Sequence, residues 1–100
     1  MMNITSSKNG ADLVISLEGR LDTTTAPDLE SYIAEKYDGK GAIVFDCKKL
    51  AYVSSAGLRV LLATQKKTKG KMQLSDVCEL IMEVFEITGF SDIFNITESK

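Results

Sequence analysis

The sequence predicts an α/β domain built on a mixed β-sheet, with its elements in the order β-β-α-β-α-β-α-β. Three observations support this prediction: an alternating apolar segment after an early turn signal, three apolar stripes at helical spacing, and short apolar runs between those stripes. Because crossover connections between parallel strands are right-handed, the helices are expected mainly on one face of the sheet.

The first two strands are predicted as a hairpin over residues 2–18. Asn9 and Gly10 form a type I′ turn signal, since both central positions of that turn need a positive φ. Gly19 is expected to end the second strand. Three apolar residues at alternate positions indicate its core face: Leu13, Ile15 and Leu17.

The first helix is predicted after Thr25, which suits an N-cap, with Pro27 in its first turn. The apolar run at 41–46 fits a central strand that is covered on both sides. A second helical stripe begins with Leu58, Leu61 and Leu62 and predicts the second helix.

A short fourth strand is predicted at 72–74, followed by a third helix and a final strand at 93–97. Asp76 and Glu79 have the spacing of a capping box, and Gly89 is expected to end the helix. The core stripe of this helix is predicted to contain five apolar residues: Val77, Leu80, Ile81, Val84 and Phe85.

Composition limits the function classes. The chain has 100 residues, 44% of them hydrophobic and 26% charged, which suits one compact domain over 1–100. A formal net charge of −2 gives no general attraction to nucleic acid or to an anionic membrane. No apolar run approaches the ~20 residues that span a bilayer, and the first residues lack a signal-peptide core. We therefore expect a cytoplasmic protein that binds neither nucleic acid nor membrane. A monomer is expected because the predicted apolar stripes each suffice for one core.

Side chains of catalytic and metal chemistry are scarce. The chain has no histidine, which is the commonest general base and a common zinc ligand. Cys47 and Cys78 lie far apart and are expected as small buried hydrophobes. We therefore expect no metal, no cofactor and no enzymatic activity. Three lysines, Lys66, Lys67 and Lys69, could form a basic patch, but a solvated C-terminal helical turn is the favoured interpretation.

Two hydroxyl groups stand at the predicted start of the second helix. Ser54 and Ser55 precede two small residues, Ala56 and Gly57. The first N–H groups of a helix lack internal partners, so a serine there can serve as an N-cap. Alternatively, a phosphate attached there would meet a site that favours anions, and the small residues would leave the backbone open to a partner.

The segment from Ser54 to Leu58 resembles the signature of STAS domains, specifically of bacterial anti-sigma factor antagonists, which reads approximately Asp-Ser-Ser/Thr/Ala-Gly-Leu. Three further segments resemble that family in the same order: Gly19-Arg20-Leu21-Asp22, Ile43-Val44-Phe45-Asp46, and Thr88-Gly89-Phe90 with Phe94. The resemblance covers nearly the whole chain and implies a single STAS-like domain.

The resemblance implies a partner switch and not an enzyme. In such a switch the unphosphorylated antagonist binds an anti-sigma factor that is also a serine kinase, and so frees the sigma factor. Phosphorylation of the antagonist ends that binding, and a serine phosphatase resets the system. The family's phosphoacceptor corresponds to Ser55. Ser54 replaces the family's aspartate, which removes a negative charge and leaves Ser54 as an alternative acceptor.

The resemblance also implies a partner-binding surface around the acceptor. Asp22 corresponds to the family's loop aspartate; its alternative role is to hold the backbone of residues 23–25. Arg59 could contact the partner or the phosphate, or lie on a solvated face. Asp46 is expected to end the central strand and to stabilise the loop before the serines. The predicted surface consists of Asp22, Thr23, Ser54, Ser55, Ala56, Gly57 and Arg59.

Two other function classes compete with the switch. One is a STAS scaffold subunit of a lipid-transport or stress-sensing complex that is never phosphorylated. The other is a small-ligand or nucleotide-binding module that uses the helix end as an anion site. The module is the weaker alternative, because the sequence has no glycine-rich phosphate-binding loop.

Overall fold

The computed structural model describes residues 2–98 and contains the predicted elements in the predicted order. The strands are β1 (Met2–Asn9), β2 (Asp12–Leu21), β3 (Ile43–Val53), β4 (Met72–Val77) and β5 (Asn95–Glu98). The helices are α1 (Ala26–Lys36), α2 (Ser55–Lys67) and α3 (Glu79–Thr88), and a short 3-10 turn (Phe90–Asp92) precedes β5.

One sheet holds these strands in the order β1-β2-β3-β4-β5. β1 is antiparallel to β2, whereas each later neighbour pair is parallel. Each parallel connection contains one helix, as a crossover between parallel strands requires. The α/β class, the mixed sheet and the element order are confirmed.

The helices cover one face of the sheet. Side chains at alternate positions of the three central strands are buried: Leu13, Ile15 and Leu17 in β2, Ile43, Phe45 and Cys47 in β3, Met72 and Leu74 in β4. Side chains between them, such as Ser16, Val44 and Asp46, are only half-buried. Since neighbours along a strand point to opposite faces, the buried set marks the helix-covered face. The helices complete this core with Leu29 and Ile33, Leu58 and Leu61, and Ile81 and Phe85.

The predicted core stripe of α3 is only partly correct. Ile81 and Phe85 are buried, but Leu80 is 63% exposed and Val84 is half-buried. Val77 is buried too, yet it is the last residue of β4 and not part of the helix. A short helix that lies flat on a sheet buries a narrow stripe, so residues at the margin of the apolar face remain in solvent.

The hairpin turn is formed by Gly10 and Ala11, not by Asn9 and Gly10 as predicted. Asn9 pairs with Asp12 as the last rung of the β1–β2 ladder. Of the two turn residues, only Gly10 has a positive φ, +65°. A two-residue turn with glycine first needs a positive φ at that position alone. The hairpin is therefore confirmed, whereas the type I′ prediction is wrong.

Both β2 and β3 are longer than predicted. β2 continues past Gly19 to Leu21, and its ladder with β3 shifts register beside that glycine. β3 continues past Asp46 to Val53. Asp46 thus lies in the middle of the strand, where its Oδ1 accepts a hydrogen bond from the backbone N–H of Lys48 at 3.1 Å. The prediction that Asp46 ends the strand and supports the serine loop is wrong.

The helix ends follow the predicted chemistry in part. Thr25 occupies the N-cap position of α1, but its hydroxyl makes no capping hydrogen bond. The N-cap of α3 is Cys78, whereas the predicted cap, Asp76, lies within β4 with a φ of +56°. Gly89 ends α3 in the left-handed conformation, with a φ of +83°, as predicted.

The two cysteines differ in accessibility. Burial in β3 raises the pKa of the Cys47 thiol to about 12, whereas Cys78 at the start of α3 is only half-buried, contrary to prediction. Because the thiolate is the nucleophile, iodoacetamide is expected to alkylate Cys78 alone in the native protein and both cysteines after unfolding in urea. Peptide mass spectrometry distinguishes the sites, and alkylation of Cys47 in the native protein would contradict its burial.

Candidate functional site

The candidate site lies where β2 and β3 end. Leu21 and Val53, the last residues of these parallel strands, pair with each other, so the segments that follow them meet at one edge of the sheet. The backbone N–H of Ser54 donates to the carbonyl oxygen of Leu21 at 2.8 Å and joins the two segments directly. In open α/β sheets, this carboxyl edge is where ligands and partners commonly bind.

Gly57 brings α2 onto the end of β2. It is buried, and a Cβ atom there would lie 2.7 Å from Cγ and 3.0 Å from the carbonyl oxygen of Leu21. The absent side chain therefore permits close packing inside the protein. We expected it to expose the backbone to a partner; this expectation is wrong, because the open side of Gly57 faces Leu21. Ala56, its neighbour, is half-buried.

The two serines occupy different environments. Ser54 is the N-cap of α2, and its Oγ accepts a hydrogen bond from the backbone N–H of Gly57 at 3.3 Å. Ser55 is the first residue of α2 and is exposed. Within residues 2–98, no side-chain hydrogen bond engages the Ser55 hydroxyl. The sequence left capping and phosphate attachment as alternatives for these serines; the structure gives the capping hydrogen bond to Ser54 and the exposed hydroxyl to Ser55.

The Asp22 loop, residues 22–25, forms the other half of the site. Asp22 Oδ1 accepts hydrogen bonds from the Thr24 hydroxyl at 2.7 Å, the Thr24 N–H at 3.0 Å and the Thr25 N–H at 3.2 Å. The Thr25 hydroxyl donates to the carbonyl oxygen of Arg20 and accepts from the N–H of Asp22, both at 2.8 Å. Asp22 therefore has the local role that was given as the alternative to a partner contact: it holds the backbone that follows it.

These hydrogen bonds keep Asp22 ionised. The Thr24 hydroxyl, followed by the two backbone N–H groups, lowers the pKa of Asp22 to about 2. The part of folding stability that depends on this carboxylate is present above its unfolded pKa and is lost as pH falls through about 2. In an NMR titration of the carboxyl carbons we expect Asp22 to titrate near pH 2, and a midpoint at its ordinary value would contradict this hydrogen-bonded geometry.

Two further side chains at this edge were not predicted from the sequence. Arg20 and Tyr52 pair across β2 and β3, and the Arg20 Cζ lies 4.1 Å from the centroid of the Tyr52 ring. The Nε of Arg20 also lies 3.7 Å from Asp22 Oδ2. A sequence signal for them was present, because Arg20 lies two positions before Asp22 and Tyr52 two positions before Ser54. It could not be used, because the register between the two strands was unknown.

The structure brings some of the predicted residues together. Ser54 lies against the end of β2, directly beside the Asp22 loop. Thr23 in that loop is exposed, and Arg59 is exposed one turn into α2. No group of three histidine, cysteine, aspartate or glutamate side chains in residues 2–98 is arranged to hold a metal ion. In the same range, none of the helices has the length and apolar character needed to cross a membrane.

Comparison with known proteins identifies the family. Residues 3–100 match the model of the STAS domain. An anti-sigma factor antagonist of Bordetella bronchiseptica, BtrV, is 36% identical over 103 residues, which cover 99% of this chain and 89% of that protein. The anti-sigma-B factor antagonist of Bacillus subtilis is 27% identical over 99 residues, covering 96% of this chain and 91% of that protein.

A solved structure shows the same fold. The crystal structure of an anti-sigma factor antagonist from Mycobacterium paratuberculosis superposes with a TM-score of 0.85 and 25% identity, and the match covers 97% of this chain and 86% of that one. The matching family model, these relatives and the shared fold lead to one conclusion: the chain belongs to the STAS domain family.

Proposed function

We propose that this protein is an anti-sigma factor antagonist that works by partner switching. Unphosphorylated, it binds an anti-sigma factor that is also a serine kinase, and the bound sigma factor is released. Phosphorylation of Ser55 ends that binding. Two relatives that match most of the chain carry the name of anti-sigma factor antagonists. The observation that carries the proposal is the exposed Ser55 hydroxyl at the start of α2, beside a serine that already caps the helix.

Ser55 is favoured over Ser54 as the acceptor by the hydrogen bonds. The Ser54 hydroxyl accepts from the Gly57 N–H and is half-buried, so its use as a nucleophile would require opening the first turn of α2. Removing such an N-cap costs about 1 kcal/mol. Ser55 needs no such rearrangement. It is exposed, and no side-chain hydrogen bond within residues 2–98 restrains it.

Phosphoryl transfer to Ser55 requires only a nucleophilic hydroxyl from this chain. The Oγ of Ser55 attacks the γ-phosphorus of ATP held by the partner, and an O–P bond forms. The bond from that phosphorus to the β,γ-bridging oxygen breaks, ADP leaves, and the hydroxyl proton passes to a base of the kinase. Catalysis of this transfer is positioning and charge stabilisation, which the kinase, its metal ion and its nucleotide supply. This chain is the substrate and contributes the nucleophilic oxygen.

The switch works through electrostatics at the docking surface. A phosphate adds roughly 1.5 to 2 negative charges to a position beside the Asp22 loop, whose carboxylate is also ionised. The first turn of α2, in which the Gly57 N–H already binds Ser54, carries the partial positive charge of a helix N-terminus and can accommodate this charge within the protein, so the fold is expected to stay unchanged. At a closed interface the same charge has to be desolvated and repels acidic neighbours, which drives dissociation.

The docking surface is proposed to consist of six of the seven predicted residues: Asp22, Thr23, Ser54, Ser55, Ala56 and Arg59. Gly57 supports this surface from the inside through its packing on Leu21. The monomeric state, the cytoplasmic location and the resetting serine phosphatase remain predictions of the same proposal.

Phosphorylation with the purified partner tests the proposal. The Ser55→Ala variant is used as bait in the source cell, and the captured anti-sigma factor is produced as a recombinant protein. It is incubated with the wild-type chain, ATP and Mg²⁺, and the product is analysed by intact and peptide mass spectrometry. We expect one phosphate on Ser55, with Ser54→Ala still modified and Ser55→Ala unmodified. Binding without any phosphate gain would contradict the switch and favour the scaffold alternative.

A further inference from the structure

We propose that Arg20 is a further contact residue of this surface and that its guanidinium binds a carboxylate of the anti-sigma factor. The inference rests on the proposed function, because it names the chemistry that the partner presents to the same edge of the sheet. It concerns a side chain outside the segment that carries the phosphoacceptor.

Three contacts fix the position of Arg20. Its backbone pairs with Tyr52 across β2 and β3, its Cζ lies 4.1 Å from the centroid of the Tyr52 ring, and its Nε lies 3.7 Å from Asp22 Oδ2. Its own carbonyl oxygen accepts the Thr25 hydroxyl at 2.8 Å, so the backbone is tied to the Asp22 loop. The side chain of Arg20 is thus held beside the Asp22 loop and beside Tyr52, near the ends of β2 and β3.

The orientation of the guanidinium is fixed, but residues 2–98 do not use all of its hydrogen-bond donors. The Tyr52 ring covers one of its faces, and Asp22 approaches only the Nε side. Within residues 2–98, no hydrogen bond uses the two terminal amino groups, and the side chain is 55% exposed. Terminal N–H groups held in a plane match the two oxygens of a carboxylate, and an arginine already held in place loses little freedom when it binds one.

Of the two charged side chains at this point the cation is the more exposed, at 55% for Arg20 against 25% for Asp22. Asp22 Oδ1 accepts hydrogen bonds from its own loop and Oδ2 lies toward Arg20, so both carboxylate oxygens already have partners in this chain. An ion pair and a cation–π contact at such exposed positions add little to folding stability. Tyrosine and arginine are also the residue types most enriched among binding hot spots. The cluster therefore suits recognition of an acidic side chain.

The experiment measures affinity for the anti-sigma factor captured with Ser55→Ala, by isothermal titration calorimetry. Arg20→Gln is expected to weaken binding at least about tenfold, since charge-assisted hydrogen bonds are lost. Lys36→Gln is the matched control, because Lys36 also lies over a tyrosine ring, that of Tyr32, at 5.9 Å, but at the end of α1 that lies away from the site. It removes the same charge and the same type of contact, and its affinity is expected to equal that of the wild type.

Variants of Tyr52 test the orienting role of the ring. Tyr52→Phe keeps the aromatic face under the guanidinium and is expected to bind as the wild type does. Tyr52→Leu removes that face and is expected to weaken binding several-fold. The thermal midpoint of each variant, measured in parallel, separates lost binding from lost folding.

A further variant asks whether Arg20 acts directly or only by positioning Asp22. In an Asp22→Asn background, Arg20→Gln is expected to weaken binding again, because the contact to the partner's carboxylate is independent of Asp22. No additional loss in that background would overturn direct contact.

Two other results would overturn the inference. The first is that the unphosphorylated Arg20→Gln variant binds the anti-sigma factor as tightly as the unphosphorylated wild type does. The second is an effect of Arg20→Gln confined to the chain phosphorylated on Ser55, which would make the bound anion the phosphate. Both leave the proposed function standing. Failure to capture any anti-sigma factor would instead overturn the proposed function, and this inference with it.

Discussion

Replacing Ser55 with aspartate is expected to weaken binding of the anti-sigma factor about tenfold to a hundredfold, which corresponds to roughly 1.4 to 3 kcal/mol. The substitution places one negative charge at the exposed start of α2, where a closed interface would have to desolvate it. A phosphate, with roughly twice the charge, is expected to have the larger effect. Isothermal titration calorimetry with the purified anti-sigma factor measures both.

Two variants control this result. Ser55→Ala removes the nucleophile without adding charge, so it is expected to bind as tightly as the unphosphorylated wild type and to remain bound in the presence of ATP. Ser7→Asp adds the same charge at an exposed serine of β1, near the hairpin turn and away from the candidate site. Its affinity is expected to be unchanged. Wild-type affinity in Ser55→Asp would show that charge at this position does not control binding.

The substitution Gly57→Ala is expected to destabilise the protein by about 1 to 3 kcal/mol, the usual cost of forcing an extra methyl group into a packed core. The new Cβ would lie 2.7 Å from Cγ of Leu21, whose side chain is fully buried, and 3.0 Å from the Leu21 carbonyl oxygen in the backbone. Alanine's better helix propensity offsets up to about 1 kcal/mol of this cost. Urea denaturation gives the free energy of unfolding, and a shift of several degrees in thermal midpoint is expected.

A double-mutant cycle with Leu21 identifies the cause. In a Leu21→Ala background the closest contact, with the Leu21 side chain, is removed while the 3.0 Å approach to the Leu21 carbonyl oxygen remains, so the cost of Gly57→Ala is expected to be smaller there. The same cost in both backgrounds would place the strain elsewhere. Gly57→Ala is also expected to weaken binding of the anti-sigma factor, because the start of α2 and the Asp22 loop are held together through this contact.

Much of the fold could be predicted because the spacing of apolar residues distinguishes strands from helices and indicates which side of each is buried. The alternation of Leu13, Ile15 and Leu17 and the helical spacing of Leu58 and Leu61 each matched the observed core. The hydrophobic pattern predicted the wrong element where the period of a strand and the period of a helix overlap in the sequence. Asp76 and Val77 lie at the change from β4 to α3, and the capping spacing assigned them to the helix although they belong to the strand.

The residues of the candidate site were less predictable than the fold. A motif identifies Ser54 and Ser55, but only coordinates show that one hydroxyl caps α2 while the other is exposed. Gly57 illustrates a different limit, because a missing side chain does not reveal which neighbour fills its space. Arg20 and Tyr52 were missed because their contact depends on strand register, which shifts beside Gly19.

The hydrogen bonds of the Asp22 loop have a consequence for the kinetics of association. Three donors of the loop itself converge on Asp22 Oδ1, so this part of the proposed docking surface is already ordered in the free protein. Little conformational entropy is then lost on docking, and no folding step delays encounter. Changes in affinity are therefore expected to appear mainly as changes in residence time.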